Sequence, residues 1–350
     1  MEGTTPAEPP TPPGGPPSGA EAAYAIPALD DLQQRAHVVR IPMRVRFRGV
    51  EVREAMLFEG PGGWCEWGPF PEYRPAEAAI WLRAALEAGW GEWPAPIHPW
   101  VPVNAIVPAV EPAVAYALVE ASGCWAAKVK VGEPGQSLRD DVERVAEVRE
   151  ALGPAGRIRV DANGAWSVDQ AVEALGALMP YGLEYVEQPC RTLEELAELR
   201  LRAPVPIAVD EPVRRGGGDP LATALLSAAD IVIVKVAPLG GFAAARRLAE
   251  GCGKPVVVSS ALETSVGMAA GLAFAASLPE LPYACGLGTV GLLASDLAAE
   301  PLLPIGGWLP SDRGRVAPDP MRLLELAAPP DREAWWRSRL ADAYAIMSGP

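Results

Sequence analysis

The feature that most constrains the fold of this chain is a repeated alternation of short apolar runs with amphipathic segments, which begins near residue 104. The runs are rich in β-branched residues, which favour strands, and the segments between them carry apolar residues at helical spacing. Capping boxes formed by Ser167 with Gln170, and by Thr192 with Glu195, mark the start of two helices. The eight predicted strands lie at 104–110, 126–132, 157–163, 184–189, 206–211, 230–238, 255–260 and 283–288.

Regular alternation of strand and helix is typical of two α/β architectures. One is a (β/α) barrel, in which each strand is followed by a helix on the outside. The other is a doubly wound parallel sheet, but no GxGxxG motif follows the first predicted strand. The sequence therefore favours the barrel.

The segments on either side of the alternating region have a different character. Residues 1–20 are rich in proline and glycine, and we expect a disordered tail there. Residues 21–103 contain three strand-like runs separated by glycine-rich turns, followed by a helical segment at 75–89, which predicts an α+β domain. We assign 104–305 to the barrel, and 306–350 to a segment whose terminal helix packs back on the N-terminal domain.

Three acidic residues stand at the ends of three successive predicted strands, namely Asp161, Glu187 and Asp210. The chemistry of a β/α barrel lies at these strand ends. Any one acid at a strand end, taken alone, is more often a helix N-cap or a solvated loop residue than a metal ligand. Three carboxylates in equivalent positions, however, repel one another unless a cation lies among them. Ligands that are all oxygen suit a hard divalent ion, with Mg²⁺ the first candidate.

Three lysines flank the predicted metal site, although the chain has only four lysines among its 30 basic residues. Lys128 and Lys130 lie two positions apart on one strand, so both face the barrel interior, and Lys235 ends a later strand. A lysine near other cations or in a dry site can lose its proton and act as a base, whereas a guanidinium group does not. The pattern predicts proton transfer, and spacing alone leaves Lys128 and Lys130 equal as the base.

Arg159 is a further polar residue of these strands and shares the inward face with Asp161. It is a candidate ligand for a substrate carboxylate, with a structural ion pair as the alternative. The last two strands end at Ser259, Ser260 and Gly286, which are candidates for contact with the far end of a substrate.

Composition excludes several classes of function. A net charge of −14 argues against nucleic-acid and anionic-membrane partners. The longest apolar stretch, 266–278, is too short and too rich in alanine and glycine to span a membrane, so we expect a buried helix.

With two histidines only, Ser-His-Asp catalysis and histidine-based zinc sites are disfavoured. Five scattered cysteines without a CxxC motif are expected to be free thiols in a reducing cytoplasm.

These motifs resemble, in order and spacing, those of the enolase superfamily in its muconate-lactonising subgroup. The matching segments are KVK at 128–130, DANGAW at 161–166, EQP at 187–189, DE at 210–211 and VIVKVAPLGG at 232–241. The resemblance extends over about residues 24–345. It implies an enolase-type barrel, a modified TIM barrel whose mouth is capped by an α+β domain built from the N-terminal domain and the C-terminal segment.

The resemblance also implies roles for the residues that match. It makes Asp161, Glu187 and Asp210 ligands of Mg²⁺, and Lys130 the base that removes a proton α to a substrate carboxylate. Lys128 would favour the neutral form of Lys130, and Lys235 would face the other side of the substrate as a base or as an electrostatic stabiliser. Asn163 and Glu211 correspond to partners that orient the metal ligands.

The segment 47–73 resembles the cap of the actinobacterial o-succinylbenzoate synthase family. The implied reaction is dehydration of 2-succinyl-6-hydroxy-2,4-cyclohexadiene-1-carboxylate to 2-succinylbenzoate in menaquinone biosynthesis, through a metal-stabilised enediolate. Racemisation of N-acylamino acids or epimerisation of dipeptides is the alternative, because it uses the same two lysines, and muconate cycloisomerisation is a third.

A catalytically silent binding protein is also possible on this fold, but the complete set of acids and lysines argues against it. The expected partner is a small-molecule carboxylate substrate. The sequence leaves the oligomeric state open, and a monomer is compatible with it.

Overall fold

A computed structural model describes residues 24–215 and 227–349 of the chain. The disordered tail expected at 1–20 lies outside these residues. Within them, no helix has the length and apolar character needed to cross a membrane.

The strands and helices are numbered in chain order within the described ranges. The strands are β1 (Ala36–Phe47), β2 (Val50–Gly60), β3 (Gly63–Trp67), β4 (Trp100–Pro102), β5 (Ala105–Val107), β6 (Ala126–Lys130), β7 (Arg157–Asp161), β8 (Leu183–Glu187), β9 (Ile207–Val209), β10 (Ile231–Val234), β11 (Val256–Val258) and β12 (Trp308–Pro310). The helices are α1 (Leu29–Arg35), α2 (Pro75–Trp90), α3 (Pro112–Ser122), α4 (Leu138–Leu152), α5 (Val168–Leu178), α6 (Leu193–Arg200), α7 (Glu211–Arg215), α8 (Val236–Leu239), α9 (Phe242–Gly251), α10 (Ser265–Ala276), α11 (Pro320–Glu325) and α12 (Pro330–Ser348).

An antiparallel sheet of β1, β2 and β3 forms the N-terminal part of the structure, as the alternating runs predict. The turn between β1 and β2 consists of Arg48 and Gly49, which both have positive φ, 52° and 79°. A two-residue turn of this kind matches the twist of a β-hairpin, and glycine adopts the second position without steric cost. The register of the hairpin is therefore fixed at its tip.

Helices α2 and α12 pack against this sheet and join the two ends of the described chain. Trp67 of β3 donates a hydrogen bond to the Ala78 carbonyl of α2 (3.0 Å) and packs edge-on against Trp336 of α12, with ring centroids 5.4 Å apart. The Trp336 indole also donates to Glu54 of β2 (3.0 Å). Both indoles are fully buried with their N–H groups bonded, which is the usual arrangement for tryptophan in a core. The C-terminal segment thus completes the cap, as expected.

The central sheet is a curled layer of seven parallel strands in the order β5-β6-β7-β8-β9-β10-β11. Each strand overlaps one of the predicted runs, and β8 begins one residue before its run. The helices between successive strands cover its outer face, and α10 is the buried helix expected from the apolar stretch at 266–278. Predominantly apolar runs suit strands that are covered on both faces.

The eighth predicted strand, 283–288, is replaced by single bridges. Gly286 pairs with Ser259 beside β11, and Cys285 pairs with Val103 just before β5. A Cβ atom on Gly286 would lie 2.5 Å from the Ser259 hydroxyl, so only glycine fits this approach. The segment closes the barrel between β11 and β5, but glycine lacks the side chains that stabilise a regular strand.

All five cysteines lie in the described ranges, and each is buried as a free thiol. This agrees with their scattered spacing in the sequence.

Candidate active site

A cleft opens at the carboxyl ends of the central strands, under the turn between β1 and β2. Its volume is about 100 Å³. The barrel contributes Ile106, Lys128, Lys130, Asp161, Lys235, Ser259, Ser260, Ala261, Leu262, Gly286 and Thr289, and the cap contributes Phe47, Arg48, Val50, Phe70, Glu72 and Tyr73. Charged groups therefore line the barrel side of the cleft, and mainly apolar and aromatic groups line the cap side.

The three predicted metal ligands lie at the ends of three adjacent strands. Asp161 ends β7 and is the direct neighbour of Glu187 at the end of β8, while Asp210 follows β9. Each of the three residues is 1% exposed. Charged groups this deeply buried are stable only when they are paired or bind a metal.

Lysine ammonium groups lie between these carboxylates. The Nζ of Lys128 is 2.7 Å from Glu187 and 3.1 Å from Asp161, so one ammonium group bridges two acids. The Nζ of Lys130 is 2.5 Å from Asp161, and that of Lys235 is 2.6 Å from Asp210. The structure thus brings together all six of the acids and lysines that the sequence places at strand ends.

These residues fit a divalent metal ion by the chemistry of their donors. All the candidate ligands are carboxylate oxygens on neighbouring strand ends, which suits a hard cation. In the part of the chain that the structure describes, no three aspartate, glutamate, histidine or cysteine side chains converge closely enough to hold a metal ion. In the structure, the three lysine ammonium groups lie among these carboxylates and offset their negative charge.

The two lysines of β6 differ in electrostatic environment. Burial disfavours the charged form of both. At Lys128 the carboxylates of Glu187 and Asp161 outweigh burial, and its pKa is raised. At Lys130 the effect of burial is larger than that of the Asp161 carboxylate, and the positive charges of Lys128 and Arg48 act in the same direction as burial. The pKa of Lys130 is therefore lowered to about 8. A lysine with this pKa can exchange a proton near neutral pH.

Among the acids, Glu187 has a pKa raised to about 7, first by burial and then by the charge of Asp161. The pKa of Asp161 is held well below its usual range, because Lys130 and Lys128 outweigh burial.

A hydrogen-bonded chain that runs through Asn163 orients Lys130. The Lys130 ammonium donates to Asn163 Oδ1 (2.6 Å), the Asn163 amide donates to Glu211 (3.2 Å), and Arg48 contacts the same Glu211 oxygen at 3.2 Å. Asn163 and Glu211 thus lie beside the acids, and they connect the barrel to the cap.

Gln188 is a further buried residue of the site that sequence reasoning did not single out. Its side-chain oxygen accepts from the backbone N–H groups of Asp210 (2.9 Å) and Glu211 (3.2 Å), and its amide donates to Cys190 (2.8 Å). It fixes the strand end that carries Asp210 relative to β8. Its position between Glu187 and Pro189 in the EQP motif was the available signal.

Two protein-family models together match most of the chain. The model described as enolase N-terminal domain-like matches residues 38–89, and the model described as enolase C-terminal domain-like matches residues 112–314. The chain belongs to the enolase superfamily. Enzymes of this superfamily generally use a divalent metal, which agrees with the donor set above.

Similar proteins include the o-succinylbenzoate synthase of Thermobifida fusca, which is 57% identical over 87% of this chain and 94% of its own length. The o-succinylbenzoate synthase of Mycolicibacterium smegmatis is 54% identical over 92% of this chain and 99% of its own. Among solved structures, the muconate lactonizing enzyme of Pseudomonas fluorescens superposes with a TM-score of 0.72 at 18% identity, covering 84% of this chain and 98% of that one. The last of these comparisons supports the enolase-superfamily fold alone.

In this member of the enolase superfamily, Arg159 does not lie in the wall of the cleft. Its guanidinium group contacts Glu184 at 2.7 Å and donates to Asn104 (3.0 Å) and to the Ala284 carbonyl, deep inside the barrel. The Arg159 guanidinium also stacks on Tyr185 at 4.9 Å. These contacts support the structural ion pair as the role of Arg159 and not a contact with a substrate.

Ser259, Ser260 and Gly286, the candidates at the ends of the last two predicted strands, line the cleft. The hydroxyl groups of both serines donate to the Gly286 carbonyl, at 3.4 Å from Ser259 and 2.8 Å from Ser260. The hydroxyl protons of both serines are therefore engaged in hydrogen bonds within the barrel wall.

The enolase-superfamily cap contributes cleft residues that strand-end reasoning missed. Phe47 and Arg48 come from the tip of the β1–β2 hairpin, and Phe70 and Tyr73 come from the loop after β3. The Lys130 ammonium lies 5.1 Å from the centre of the Phe47 ring. The only local signal for this contact was the Arg48-Gly49 turn, because the hairpin reaches the barrel through tertiary packing.

Proposed function

We propose that this chain catalyses the o-succinylbenzoate synthase reaction, in which 2-succinyl-6-hydroxy-2,4-cyclohexadiene-1-carboxylate loses water to give 2-succinylbenzoate for menaquinone biosynthesis. The observation that carries the proposal is identity above 50% to proteins of that name over most of both chains. The lysines and acids of the cleft supply the groups that such a dehydration needs. The activity is that of a carbon–oxygen lyase.

We assign Asp161, Glu187 and Asp210 as the residues that hold Mg²⁺. When bound, the ion supplies positive charge that stabilises the charge developing on the substrate carboxylate. Three buried carboxylates held between three ammonium groups support this assignment, because they form an all-oxygen donor set. Gln188, Asn163 and Glu211 position the ligands through the contacts described above.

Lys130 is the proposed base. Its neutral form takes the proton from the ring carbon that carries the carboxylate. Lys128 stays charged beside it, and the opposite shifts of their pKa values support this division of roles. The bond from carbon to hydrogen breaks, and its electron pair moves towards the carboxylate.

The same lysine completes the elimination on the same face of the ring. The Lys130 ammonium returns its proton to the departing hydroxyl, so that the bond from carbon to oxygen breaks and water leaves. Aromatisation of the ring favours this step. Lys235 follows β10, which is separated from β6 by three strands of the curled sheet, and it stabilises the negative charge from the other side of the substrate.

We propose that the cap, residues 21–103 with 306–350, serves to cover the barrel of residues 104–305 and exclude water from the cleft. Five buried free thiols support placing the reaction in the reducing cytoplasm.

The decisive experiment is an assay of the purified protein with the cyclohexadiene substrate in the presence of Mg²⁺, following formation of the aromatic product by absorbance. We expect dehydration that stops when the metal is chelated. N-succinylamino acids are assayed in parallel, because racemases use the same two lysines. Efficient racemisation without dehydration would refute the proposed function.

A further inference from the structure

We propose that Arg48 binds the second carboxylate of the substrate and thereby selects ligands that carry two carboxylates. The inference rests on the proposed function, because the substrate and product of that reaction each carry one carboxylate on the ring and another at the end of the succinyl chain. The residues at the strand ends account for the ring carboxylate only.

Arg48 lies at the tip of the β1–β2 hairpin, where the cap meets the barrel mouth. It lines the cleft together with Lys130 and Asp161, and it is close enough to Lys130 for its charge to act on that lysine. The turn fixes the position of its backbone, while about a third of the side chain (34%) remains exposed. The guanidinium group is thus both held at the cleft and accessible from it.

Among the cleft cations of the described ranges, Arg48 has the most N–H donors left for a ligand. Lys128, Lys130 and Lys235 each contact one or more buried carboxylates. Arg48 uses one terminal nitrogen for Glu211, and within the described ranges no other hydrogen bond or ion pair of this side chain is present. A guanidinium group has five N–H donors, so a carboxylate can be bound without breaking the contact with Glu211.

The apolar residues of the same cleft suit the rest of such a ligand. Phe47, Val50, Ile106 and Leu262 line the cleft, pack in one apolar cluster and provide a wall for a six-membered ring. A substrate held by its ring carboxylate near Lys130 would then direct its flexible chain towards a cap residue.

Other polar residues of the cleft are poorer partners for a carboxylate. The hydroxyl groups of Ser259 and Ser260 donate to the Gly286 carbonyl. Glu72 is acidic and repels an anion. The chain as a whole carries a charge of −14, so a dianion needs a local cation to offset the unfavourable field.

The test compares two ligands that differ in the distal carboxylate. Calorimetry with Mg²⁺ present measures the Kd of 2-succinylbenzoate and of 2-butyrylbenzoate, in which a methyl group replaces that carboxylate. We expect Arg48→Gln to weaken binding of 2-succinylbenzoate by about tenfold or more and to change the Kd of 2-butyrylbenzoate by less than about twofold. Thermal unfolding of the variant confirms that it is folded.

Arg46→Gln is the matched control. Arg46 is an exposed arginine of the same hairpin, two residues earlier, and it does not line the catalytic cleft. This variant should keep the preference of the wild type for the dicarboxylate.

Equal weakening of both ligands by Arg48→Gln would overturn the inference, because it would show that Arg48 acts through Glu211. Unchanged binding of both ligands, or a wild type without preference for 2-succinylbenzoate, would overturn it too. A wild-type protein that prefers 2-succinylbenzoate but does not dehydrate the cyclohexadiene would contradict the proposed function and leave the role of Arg48 supported.

Discussion

Lys128 and Lys130 share one face of β6 but differ in what surrounds their ammonium groups. Lys128 lies between two carboxylates, Glu187 and Asp161. Lys130 contacts Asp161 and the neutral amide of Asn163, with the positive charge of Arg48 nearby. One residue is thereby kept charged, and the other is able to lose its proton near neutral pH.

Replacing Lys130 with alanine tests this difference. We expect kcat of the proposed dehydration to fall by about a thousandfold or more, because the group that accepts the proton is removed. The variant should stay folded, because Lys128, at 3.1 Å, still pairs with the Asp161 carboxylate after Lys130 is removed. Steady-state kinetics and circular dichroism measure the two effects.

Lys254 provides the control for this substitution, because it is the one lysine outside the cleft. Lys254→Ala should keep full activity. Substantial turnover by the Lys130→Ala protein would contradict the assignment of the base.

At this scale the sequence predicts which face a side chain occupies but not how deep it lies. Asp161 and Arg159 alternate correctly onto the interior of the barrel. Two residues along a strand span about 6.6 Å, however, so Arg159 lies below the level of the cleft and meets Glu184 instead of a substrate. Lys130 and Asp161 lie at one level because β6 and β7 pair in that register, which strand alternation alone does not specify.

Among the elements, the connection from β11 to α10 is the part of the barrel wall that depends most on the cap. Arg53 of β2 donates to the Leu262 carbonyl at 2.9 Å. Leu262 has a φ of 65°, a left-handed conformation that is unfavourable for leucine. Glu66 of β3 accepts hydrogen bonds from the Thr264 backbone (3.0 Å) and hydroxyl (2.6 Å). The cap therefore holds the strained loop that lines the cleft.

The buried carboxyl of Glu66 predicts a pH dependence of stability. Burial raises its pKa to about 7, although Arg53 and Thr264 oppose the shift. Between pH 4.5 and 7 the folded chain keeps this proton and the unfolded chain releases it. The free energy of unfolding therefore falls as the pH rises across this range, by about 3 kcal/mol for this group.

Glu66→Gln should remove that contribution. Urea unfolding between pH 4.5 and 8 measures the free energy of unfolding of both proteins. As the pH rises, the variant should become more stable relative to the wild type. Glu92→Gln, at an exposed carboxylate, is the control and should follow the wild type. A constant difference between the Glu66→Gln protein and the wild type would show that Glu66 is already ionised at low pH.

Element boundaries were predictable where local chemistry determines them. Helices α5 and α6 begin after Ser167 and Thr192, where the capping boxes place them. The predicted strand at 283–288 was wrong as a regular strand, because its pairing depends on the close approach of Gly286 to Ser259 across the barrel. Contacts between segments distant in sequence are not encoded in local periodicity.

At the scale of the whole molecule, the acids at the strand ends offer oxygen ligands for a divalent ion in the buried interior. Mg²⁺ that binds the folded chain and not the unfolded chain should raise the thermal midpoint. At a hundred times its Kd the ion adds about 2.7 kcal/mol. For a chain of this size we expect an increase of about 5 °C, measured by calorimetric melting with Mg²⁺ against EDTA.

Asp210→Asn is the matched variant, because it removes one proposed ligand and leaves the other acids in place. Its midpoint should respond weakly to Mg²⁺. An equal response in both proteins would mean that the ion stabilises the chain at some other site.

The barrel and its cap were predictable as an architecture, since eight alternating runs and the superfamily motifs agreed. The cap's part in the cleft was not. Arg48, Phe70 and Tyr73 reach the barrel mouth through the docking of one domain on another, which no local pattern reports. Sequence reasoning thus located the acids and lysines of the cleft but not the cap residues that line it.

The packing of α12 on the first three strands also fixes an order of events during synthesis. At ordinary rates of translation, β3 leaves the ribosome on the order of ten or more seconds before α12 is made. During that interval Trp67 cannot pack against Trp336. Glu54 has neither its hydrogen bond from Trp336 nor its ion pair with Arg332. Nascent chains therefore carry every strand of the barrel before the cap can close over it, and the face of Trp67 that packs on Trp336 stays uncovered until α12 has been made.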